Sequence, residues 1–377
     1  NWYLIMDWLN TYRDGGVAGK LAKLLNRQEG LRPVRFMEVC GTHTVSICRH
    51  GIRDLMPPAI TLTSGPGCPV CVTATADIDS FIKAAEMDGA IITTFGDLLR
   101  VPGSRSSLQD ARADGADIRT VYSSLDALQI ARQNPERQVI FLGVGFETTT
   151  PTVAAAILTA QEEGLRNFSV ISAHKVMPPA LEALLADPEI RIDGLICPGH
   201  VSIMIGADAY EPFVNRYKIP CVIAGFEPVD ILKAVVMLAD QVQKDKPRVE
   251  IAYDRAVTRE GNRQAMAVMY KIFEPADALW RGLTVIPGSG LEIRPQYEYF
   301  NARKRFDISV AEAKDPAGCA CGDVLKSIKT PADCKLFGTA CVPEHPIGPC
   351  MVSGEGACGA FYKYRQMPES RNDLPKT

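Results

Sequence analysis

Cysteine is the residue with the most chemistry to offer in this chain, and half of its twelve cysteines lie within forty residues of one another near the C-terminal end. The six are Cys319, Cys321, Cys334, Cys341, Cys350 and Cys358. Too few apolar residues surround these thiols for the segment to fold without a crosslink or a metal. We therefore expect cysteine chemistry to hold this segment together.

The number and spacing of the six thiols favour an iron–sulfur cluster. Four thiolates bind a tetrahedral Zn²⁺ or a cubane [4Fe–4S] cluster, so six is two more than either needs. A zinc ribbon ordinarily carries two CxxC knuckles, which this segment lacks. Irregular spacing suits a cluster wrapped by loops, with the two remaining thiols able to form a disulfide beside it. Zinc, and disulfides alone, are the alternatives.

A second thiol motif, Cys68-Pro-Val-Cys71, lies between a strand-like run and the helical stretch TADIDSFIKAA. The free N–H groups and the dipole of a helix N-terminus favour a thiolate, so we expect a lowered thiol pKa and high reactivity there. Two such thiols can cycle with a disulfide or bind a soft metal. The alternative, two small buried residues, is less favoured because GPG and Pro should keep the loop tight and near the surface.

A third motif, Cys40-Gly-Thr-His43, ends the first strand-like run. Gly41 permits a sharp turn that would direct the thiol into a cleft. A thiolate beside an imidazole suits either an iron site or a nucleophile and its base. His43 is equally compatible with a purely structural role.

Composition narrows the class of protein. A chain of 377 residues with 46% apolar residues should form two or three domains with sizeable cores. The formal charge of −3 and the absence of Lys/Arg runs argue against nucleic-acid binding. No apolar run has the length of a membrane span, and the first residues lack the features of a secretory signal. We expect a cytoplasmic protein, where clustered cysteines are metal ligands or redox thiols more often than structural disulfides.

The first 240 residues contain a repeat at an offset of about 105 residues. VRFMEVCGTHT matches VIFLGVGFETT, AITLTSGPGCP matches FSVISAHKVMP, GAIITTF matches GLICPGH, and DIRTVYSSLDAL matches IPCVIAGFEPVDIL, with Asp126 against Asp230. Chance similarity among strand–helix segments is the alternative. We interpret the repeat as an internal duplication.

Short apolar runs alternate with helical stretches within each repeat, which predicts βαβ units and parallel sheets covered by helices. The boundaries we expect are an N-terminal helical segment at 1–33, lobes at 34–132 and 133–240, and a C-terminal region at 241–377. Ligands of such sheets bind beyond the carboxyl ends of the strands. The polar candidates there are His43, Glu147, His174, His200 and Glu227. Each suits orientation of a ligand or proton transfer, and each suits a hydrogen-bonded strand end equally well.

Taken together, the motifs resemble the HypD family of hydrogenase maturation factors. The strings that carry the resemblance run in order from about residue 30 to about residue 365: FMEVCGTHT, TSGPGCPVC, GFETTTP, HKVMPPAL, DGLICPGHVSIMIG, AGFEPVDIL, WRGLTVIPGSGLEIRP and the cysteine-rich tail. The resemblance implies two Rossmann-like lobes plus a region that carries one [4Fe–4S] cluster. It also implies a scaffold for assembly of the Fe(CN)2CO group of [NiFe] hydrogenases, in stable complex with the small chaperone HypC and with HypE as transient cyanide donor.

The resemblance also implies roles for individual cysteines. Cys40 would hold the transient Fe(CN)2CO iron, and Cys68 and Cys71 would be its redox partners. The cluster ligands would be Cys319, Cys334, Cys341 and Cys358. Cys321 and Cys350 would form the adjacent disulfide, similar to the arrangement in ferredoxin–thioredoxin reductase.

Two other functions are compatible with the same residues. The chain could reduce protein disulfides through its cluster, as an iron–sulfur-dependent thiol–disulfide oxidoreductase. It could instead be a metal chaperone whose cluster is only structural.

The three remaining cysteines are expected to be unreactive. Cys48, Cys197 and Cys221 lie in apolar helices or strands, where burial should raise the pKa of the thiol and keep it inert.

Overall fold

The structure of the protein is a computed structural model that describes residues 11–27, 30–310 and 313–364. The predicted N-terminal helical segment at 1–33 therefore lies partly outside the described residues, as does the end of the predicted region 241–377. Helix α1 (Gly15–Asn26) occupies the described part of the N-terminal segment. Its first turn is capped by Asp14, whose carboxylate accepts the N–H groups of Gly16 and Val17.

Strands and helices alternate along most of the described chain. The strands are β1 Val34–Glu38, β2 Ile60–Ser64, β3 Ile91–Thr94, β4 Asp117–Thr120, β5 Val139–Gly143, β6 Phe168–Ser172, β7 Gly194–Pro198, β8 Cys221–Ala224, β9 Val249–Ile251, β10 Phe273–Leu279 and β11 Val285–Ile293. The helices that follow α1 are α2 Gly41–Arg49, α3 Pro69–Val72, α4 Thr75–Ala85, α5 Leu108–Ala113, α6 Ser124–Gln133, α7 Thr150–Glu162, α8 Met177–Ala186, α9 Gly199–Ile205, α10 Glu211–Tyr217, α11 Pro228–Gln243, α12 Arg263–Ile272, α13 Ala302–Arg305, α14 Cys321–Leu325, α15 Pro349–Val352 and α16 Ala357–Tyr364.

Two parallel sheets form the framework. One has five strands in the order β2-β1-β7-β8-β9, and the other has four in the order β4-β3-β5-β6. Every residue of β5, β6, β7 and β8 is buried, as expected for parallel strands that are covered by helices on both faces. The predicted α/β class with parallel sheets and a separate cysteine-rich region is confirmed.

The two sheets do not follow the predicted lobes at 34–132 and 133–240. β1 pairs with β7, and β3 pairs with β5, so each sheet takes strands from both halves of the chain. The four-stranded sheet is continuous in sequence and is inserted between β2 and β7. The sequence pattern identifies a strand by its apolar residues, but strand partners are decided by contacts between distant segments, which no local pattern records.

The repeat nevertheless has a counterpart in the topology. Strands that the repeat matches, β1 with β5, β2 with β6, β3 with β7 and β4 with β8, occupy equivalent positions in the orders β2-β1-β7-β8 and β6-β5-β3-β4. The matched residues Asp126 and Asp230 also make equivalent hydrogen bonds. Each lies in the first turn of its helix, and its carboxylate accepts the backbone N–H of the residue that caps that helix. Common origin of the two halves stays a prediction.

The chain beyond β9 packs against both sheets. The antiparallel hairpin β10–β11 carries Phe273 and Leu291 into the core beside the four-stranded sheet, while Trp280 at its turn joins the core beside the other sheet. The cysteine-rich tail joins that second core through Cys321, Cys350 and other buried thiols. Within the described residues, no helix is long and apolar enough to cross a membrane.

Candidate functional site

The end of strand β1 places Cys40 directly against the CxxC loop. Cys40 is the residue before α2, and the N–H of Gly41 donates to the carbonyl of Gly67 at 3.0 Å. A Cβ atom on Gly67 would lie 2.1 Å from the backbone nitrogen of Cys40, so only glycine permits this approach. The glycines of GPGCPVC therefore bring two thiol motifs from separate strands into contact.

Cys68 and Cys71 form a close thiol pair. Cys68 caps the short helix α3, with Pro69 in the first turn, and its sulfur accepts the N–H of Cys71 at 3.3 Å. The two sulfur atoms are 2.6 Å apart, near the bonding distance of about 2.05 Å. All twelve cysteines of the chain lie in described segments, and none of them forms a disulfide here.

The expectation of a lowered thiol pKa is wrong for Cys71, and the expectation of a loop near the surface is wrong for both thiols. Both thiols are buried, and burial raises the pKa of Cys71 well above its ordinary value. Helix α3 has only four residues, so its dipole is weak against the cost of placing a charge away from water. In this structure the pair is suited to exchange with neighbouring thiols inside the protein.

Two carboxyl groups flank Cys40, and neither was predicted. The Glu38 carboxylate accepts the N–H of Cys40 at 3.1 Å and also the hydroxyl of Thr44. Glu355, from the tail, accepts the hydroxyl of Thr42 at 2.6 Å and lies against Gly41. An ionisable residue at the end of strand β1, directly after the apolar pair Phe36 and Met37, was the available signal for Glu38. No pattern in the sequence connects Glu355 with residues more than three hundred positions earlier.

Burial controls the ionisation of this site. Burial raises the pKa of the Cys40 thiol to about 12, against the opposing effect of the amides of His43 and Thr42. Glu355 and Glu38 raise it further. Burial likewise raises the pKa of Glu38 to about 7. At neutral pH the free protein therefore holds Cys40 as a thiol.

His43 does not face the Cys40 thiol as a base would. Its Nε2 donates to the carbonyl of Gly225 at 2.9 Å, and burial lowers its pKa to about 4, so the ring is neutral. Its Nδ1 is buried without a hydrogen-bond partner among the described residues. The ring fixes α2 to the end of β8, which is a structural role.

The other polar candidates divide between the two sheets. His200 follows the end of β7 and stacks on Phe226 with 3.9 Å between ring centres. Burial lowers the pKa of His200, and the charge of Glu355 opposes this shift. Glu227 forms an exposed two-bond ion pair with Arg13, which lowers the pKa of the carboxyl. His200 therefore lies near Glu355, which flanks Cys40, whereas Glu227 is paired with the N-terminal segment through Arg13.

Glu147 and His174 lie at the ends of β5 and β6, in the other sheet. Glu147 accepts the N–H of Met177 at 2.8 Å, and burial raises its pKa to about 7. His174 hydrogen-bonds Ser172 at 3.1 Å through Nδ1 and packs against Gly143, and burial lowers its pKa to about 3. Neither residue joins Cys40, so the predicted candidates do not form one set.

Five of the six tail thiols line one small, largely apolar cavity. They are Cys319, Cys321, Cys334, Cys341 and Cys358, together with Leu336, Phe337 and Met351. Gly348 closes the cavity, since a Cβ atom there would lie 2.7 Å from the sulfur atoms of both Cys319 and Cys321. The sixth thiol, Cys350, is fully buried outside this lining.

This donor set fits an iron–sulfur group. Thiolates in an apolar pocket are the ligands such clusters use, and four of the five thiols suffice. Among the described residues, no three His, Cys, Asp or Glu side chains stand close enough to hold a single metal ion. A four-iron cluster is larger than one ion, and its ligands stand farther apart.

Cys350 links the tail to the CxxC pair. Its thiol hydrogen-bonds those of Cys321 and Cys71. The bond with Cys321 lowers the pKa of Cys350, but the bond with Cys71 and burial outweigh it and raise that pKa well above the ordinary value. The sulfur of Cys71 also lies 3.9 Å from the carbonyl of Pro349. Thiols therefore follow one another in contact from Cys68 through Cys71 and Cys350 to Cys321.

The chain is a two-sheet α/β protein with a buried cysteine at one strand end, a contiguous row of thiols and a cysteine-lined cavity, an arrangement whose chemistry suits metal binding or thiol exchange. Comparison with known proteins narrows these possibilities. The model of the HypD family, described as "Hydrogenase formation hypA family", matches residues 16–365. The chain is 46% identical over 373 residues to the hydrogenase maturation factor HypD of Rhizobium leguminosarum bv. viciae, with 97% of each chain covered.

Two further relatives agree. The hydrogenase maturation factor HypD of Azotobacter vinelandii is 46% identical over 367 residues, covering 95% of this chain and 97% of the relative. That of Cupriavidus necator is 45% identical over 370 residues, with the same coverage. The chain belongs to the HypD family of hydrogenase maturation factors, as its motifs predicted.

Proposed function

We propose that this protein is the scaffold on which the Fe(CN)2CO group of a [NiFe] hydrogenase is assembled, with HypC as its stable partner and HypE as the transient donor of cyanide. The observation that carries the proposal is the contact between the Cys40 loop and the CxxC loop through Gly67. This contact joins a thiol suited to hold iron with a thiol pair suited to redox exchange. Membership of the HypD family supports the same function.

Cys40 holds the iron that is the substrate. Cyanide and CO favour low-spin Fe(II), which soft thiolate donors bind well. The thiol is only 7% exposed, so bound iron is guarded from water and oxygen. Because the free thiol is protonated at neutral pH, iron binding releases one proton, and the amides of Thr42 and His43 stabilise the thiolate that forms.

Cys319, Cys334, Cys341 and Cys358 are the residues that would hold a [4Fe–4S] cluster. All four line the cavity, and Cys321 lies between them and Cys350. When bound, such a cluster supplies or accepts single electrons. The contact of Cys350 with both Cys321 and Cys71 favours a redox role for the tail over a purely structural one.

The row of thiols permits a balanced exchange. Starting from a Cys68–Cys71 disulfide and reduced Cys321 and Cys350, the sulfur of Cys350 attacks the sulfur of Cys71 while its proton passes to Cys68, the leaving sulfur. Cys321 then attacks Cys350, and its proton passes to Cys71, the second leaving sulfur. The products are a Cys321–Cys350 disulfide and two reduced thiols, so two electrons and two protons have moved toward Cys40.

Burial disfavours the alternative of a general thiol–disulfide oxidoreductase. Cys68 and Cys71 are 3% and 0% exposed, so a disulfide on another protein has no direct access to them. The exchange therefore serves the chain's own iron site, where reduction would accompany cyanide transfer or release of the iron.

Infrared spectroscopy tests the proposal. The anaerobically isolated complex with HypC should show Fe–CN and Fe–CO stretches when HypE is present during expression. A complex with a full iron–sulfur cluster but without these bands would contradict the scaffold function. A protein that lacks iron altogether would contradict both the scaffold and the cluster.

A further inference from the structure

A buried arginine lies between the CxxC helix and the tail. Arg281 belongs to the turn of the β10–β11 hairpin, and its backbone N–H donates to the carbonyl of Val72 at 2.9 Å, at the end of α3. The next residue, Gly282, packs on Gly322 in α14, since a Cβ atom on Gly282 would lie 2.5 Å from the Cα of Gly322. The turn is thus held against both thiol-bearing segments.

Trp280 fixes the turn from its other side. Its indole is fully buried, stacks on Phe146 at 5.9 Å between ring centres, and donates from Nε1 to the hydroxyl of Ser289 at 2.8 Å. Its backbone forms a bridge with Thr73. The position of the Arg281 side chain is therefore set by a rigid, buried neighbour.

The guanidinium of Arg281 carries more charge than its neighbours neutralise. The residue is 3% exposed, and its Nη1 donates to the carbonyl of Pro102 at 3.2 Å. Its ion pair with Asp315, at 3.3 Å, is made to a side chain that is 54% exposed and so is screened by solvent. Its Nη2 is buried without a hydrogen-bond partner among the described residues. An unsatisfied buried cation is costly unless a negative charge is placed beside it.

The negative charge that would compensate Arg281 is expected in the cysteine-lined cavity, where a cluster with thiolate ligands would lie. The turn that carries Arg281 packs on Gly322, the neighbour of Cys321 in the lining of the cavity, and Asp315, the ion-pair partner of Arg281, precedes Cys319 by four residues. A [4Fe–4S] cluster with four thiolate ligands carries a charge of −2, and reduction by one electron makes it −3. Nearby buried charge and hydrogen bonds are known determinants of the reduction potential of such clusters.

We propose that Arg281 is the residue that sets the reduction potential of the tail cluster, by stabilising the additional negative charge of its reduced form. The inference rests on the proposed cluster. Arg281 acts through the field of its guanidinium on the Cys319 side of the cavity and is a positioning residue, since it does not touch the thiols that exchange. Asp315 moderates the same field.

The test is a redox titration of the full-length, anaerobically purified protein with a low-potential one-electron reductant, followed by electron paramagnetic resonance. Iron content is measured first, because a wild-type protein without a cluster would contradict the proposed function and not the role of Arg281. At the wild-type midpoint, Arg281→Met should lower the ratio of reduced to oxidised cluster by about tenfold, equivalent to 59 mV for one electron. Arg281→Lys should stay within about twofold.

Two further variants make the result decisive. Asp315→Asn removes the partly compensating charge while keeping an oxygen for the Thr75 hydroxyl, so the ratio should rise. Arg100→Met removes an exposed arginine that contacts the tail at the carbonyl of Pro343, and should leave the ratio unchanged. Equal ratios in wild type, Arg281→Met and Asp315→Asn, all with full iron, would overturn the proposal. If Arg281→Met fails to retain iron, Asp315→Asn decides alone, and an unchanged ratio overturns the proposal.

Discussion

Cys40 illustrates how burial and position give one residue its chemistry. Burial, with a smaller contribution from two carboxyl groups, raises the pKa of its thiol to about 12, while the N-terminal amides of α2 oppose this shift. A thiol of this kind stays protonated until a metal replaces the proton. Under the proposed function, Cys40 therefore resists oxidation while the site is empty, and its thiolate forms only when iron binds.

Replacing Cys40 should separate the iron site from the cluster site. We expect Cys40→Ala to lose the Fe–CN and Fe–CO bands of the complex with HypC while retaining full cluster iron, because the thiol lies outside the cavity of the tail. Cys48→Ala is the matched control, because Cys48 lies on α2, the helix that begins directly after Cys40. This variant should keep both the infrared bands and the cluster iron. Undiminished infrared bands in Cys40→Ala would exclude the proposed role of this residue.

Cys350 should be required for exchange between the tail and the CxxC pair. In Cys350→Ser the cluster should still form and accept electrons, but a Cys68–Cys71 disulfide should remain oxidised under reductant, because Cys350 is the thiol that contacts Cys71. Alkylation of free thiols and mass spectrometry measure this directly. Reduction of that disulfide at the wild-type rate in Cys350→Ser would show that electrons take another route.

The turns after β1 and β2, together with helix α15, bring thiols that are distant in sequence close together. The turn that contains Gly67 follows β2, and the turn that contains Cys40 follows β1, so parallel pairing of these neighbouring strands places both turns at one edge of the sheet. The close approach then depends on the missing side chain of Gly67. Helix α15 adds a fourth thiol, Cys350, from the tail.

Gly67→Ala should therefore disconnect the two motifs. A methyl group at this position meets the backbone of Cys40, which cannot move as a flexible side chain would, so we expect a destabilisation of about 1–3 kcal/mol. Retention of the Fe(CN)2CO iron should fall roughly tenfold or more, since a 1 Å displacement of a reactive group is costly. Gly354→Ala, with open space around the added methyl, is the control. Equal iron retention in both variants would contradict the account.

Across the molecule, the interleaving of the two sheets couples the sites. The five-stranded sheet pairs β7–β9 with β1 and β2, although the whole four-stranded sheet lies between them in sequence. The tail contacts elements of both sheets, through Glu355 to Thr42 and through Ser353 to Asp97. The surroundings of Cys40, the thiol row and the cavity therefore all depend on contacts between segments that are distant in sequence.

Fragments test this topology. Residues 133–240 contain the pairs β5–β6 and β7–β8 but lack β3 and β1, which join these pairs to the rest of the two sheets, so the fragment should show no cooperative unfolding. A fragment of similar length, 75–186, contains all strands of the four-stranded sheet and should retain more helical and strand signal in circular dichroism. Cooperative folding of 133–240 alone would contradict the interleaved arrangement.

The sequence predicted the strands and the family of the chain better than the surroundings of the cysteines. The first strand and the turn at Cys40 follow from local apolar patterning and glycine placement, and the family motifs follow from strings of residues. Burial of Cys71, and the approach of Glu355 to Cys40, depend on segments that are distant in sequence. Those distances explain why the lowered thiol pKa was wrongly expected and why both flanking carboxyl groups were missed.

The exchange of electrons between the tail and the CxxC pair is the central claim, and the redox state of four thiols measures it most directly. The wild-type protein, with its cluster quantified, is poised at a series of potentials, and free thiols are alkylated and identified by mass spectrometry. The account predicts paired two-electron changes confined to Cys68 with Cys71 and Cys321 with Cys350, while Cys197 and Cys221 do not change. Thiols that remain free at Cys68 and Cys71 at every potential would contradict it.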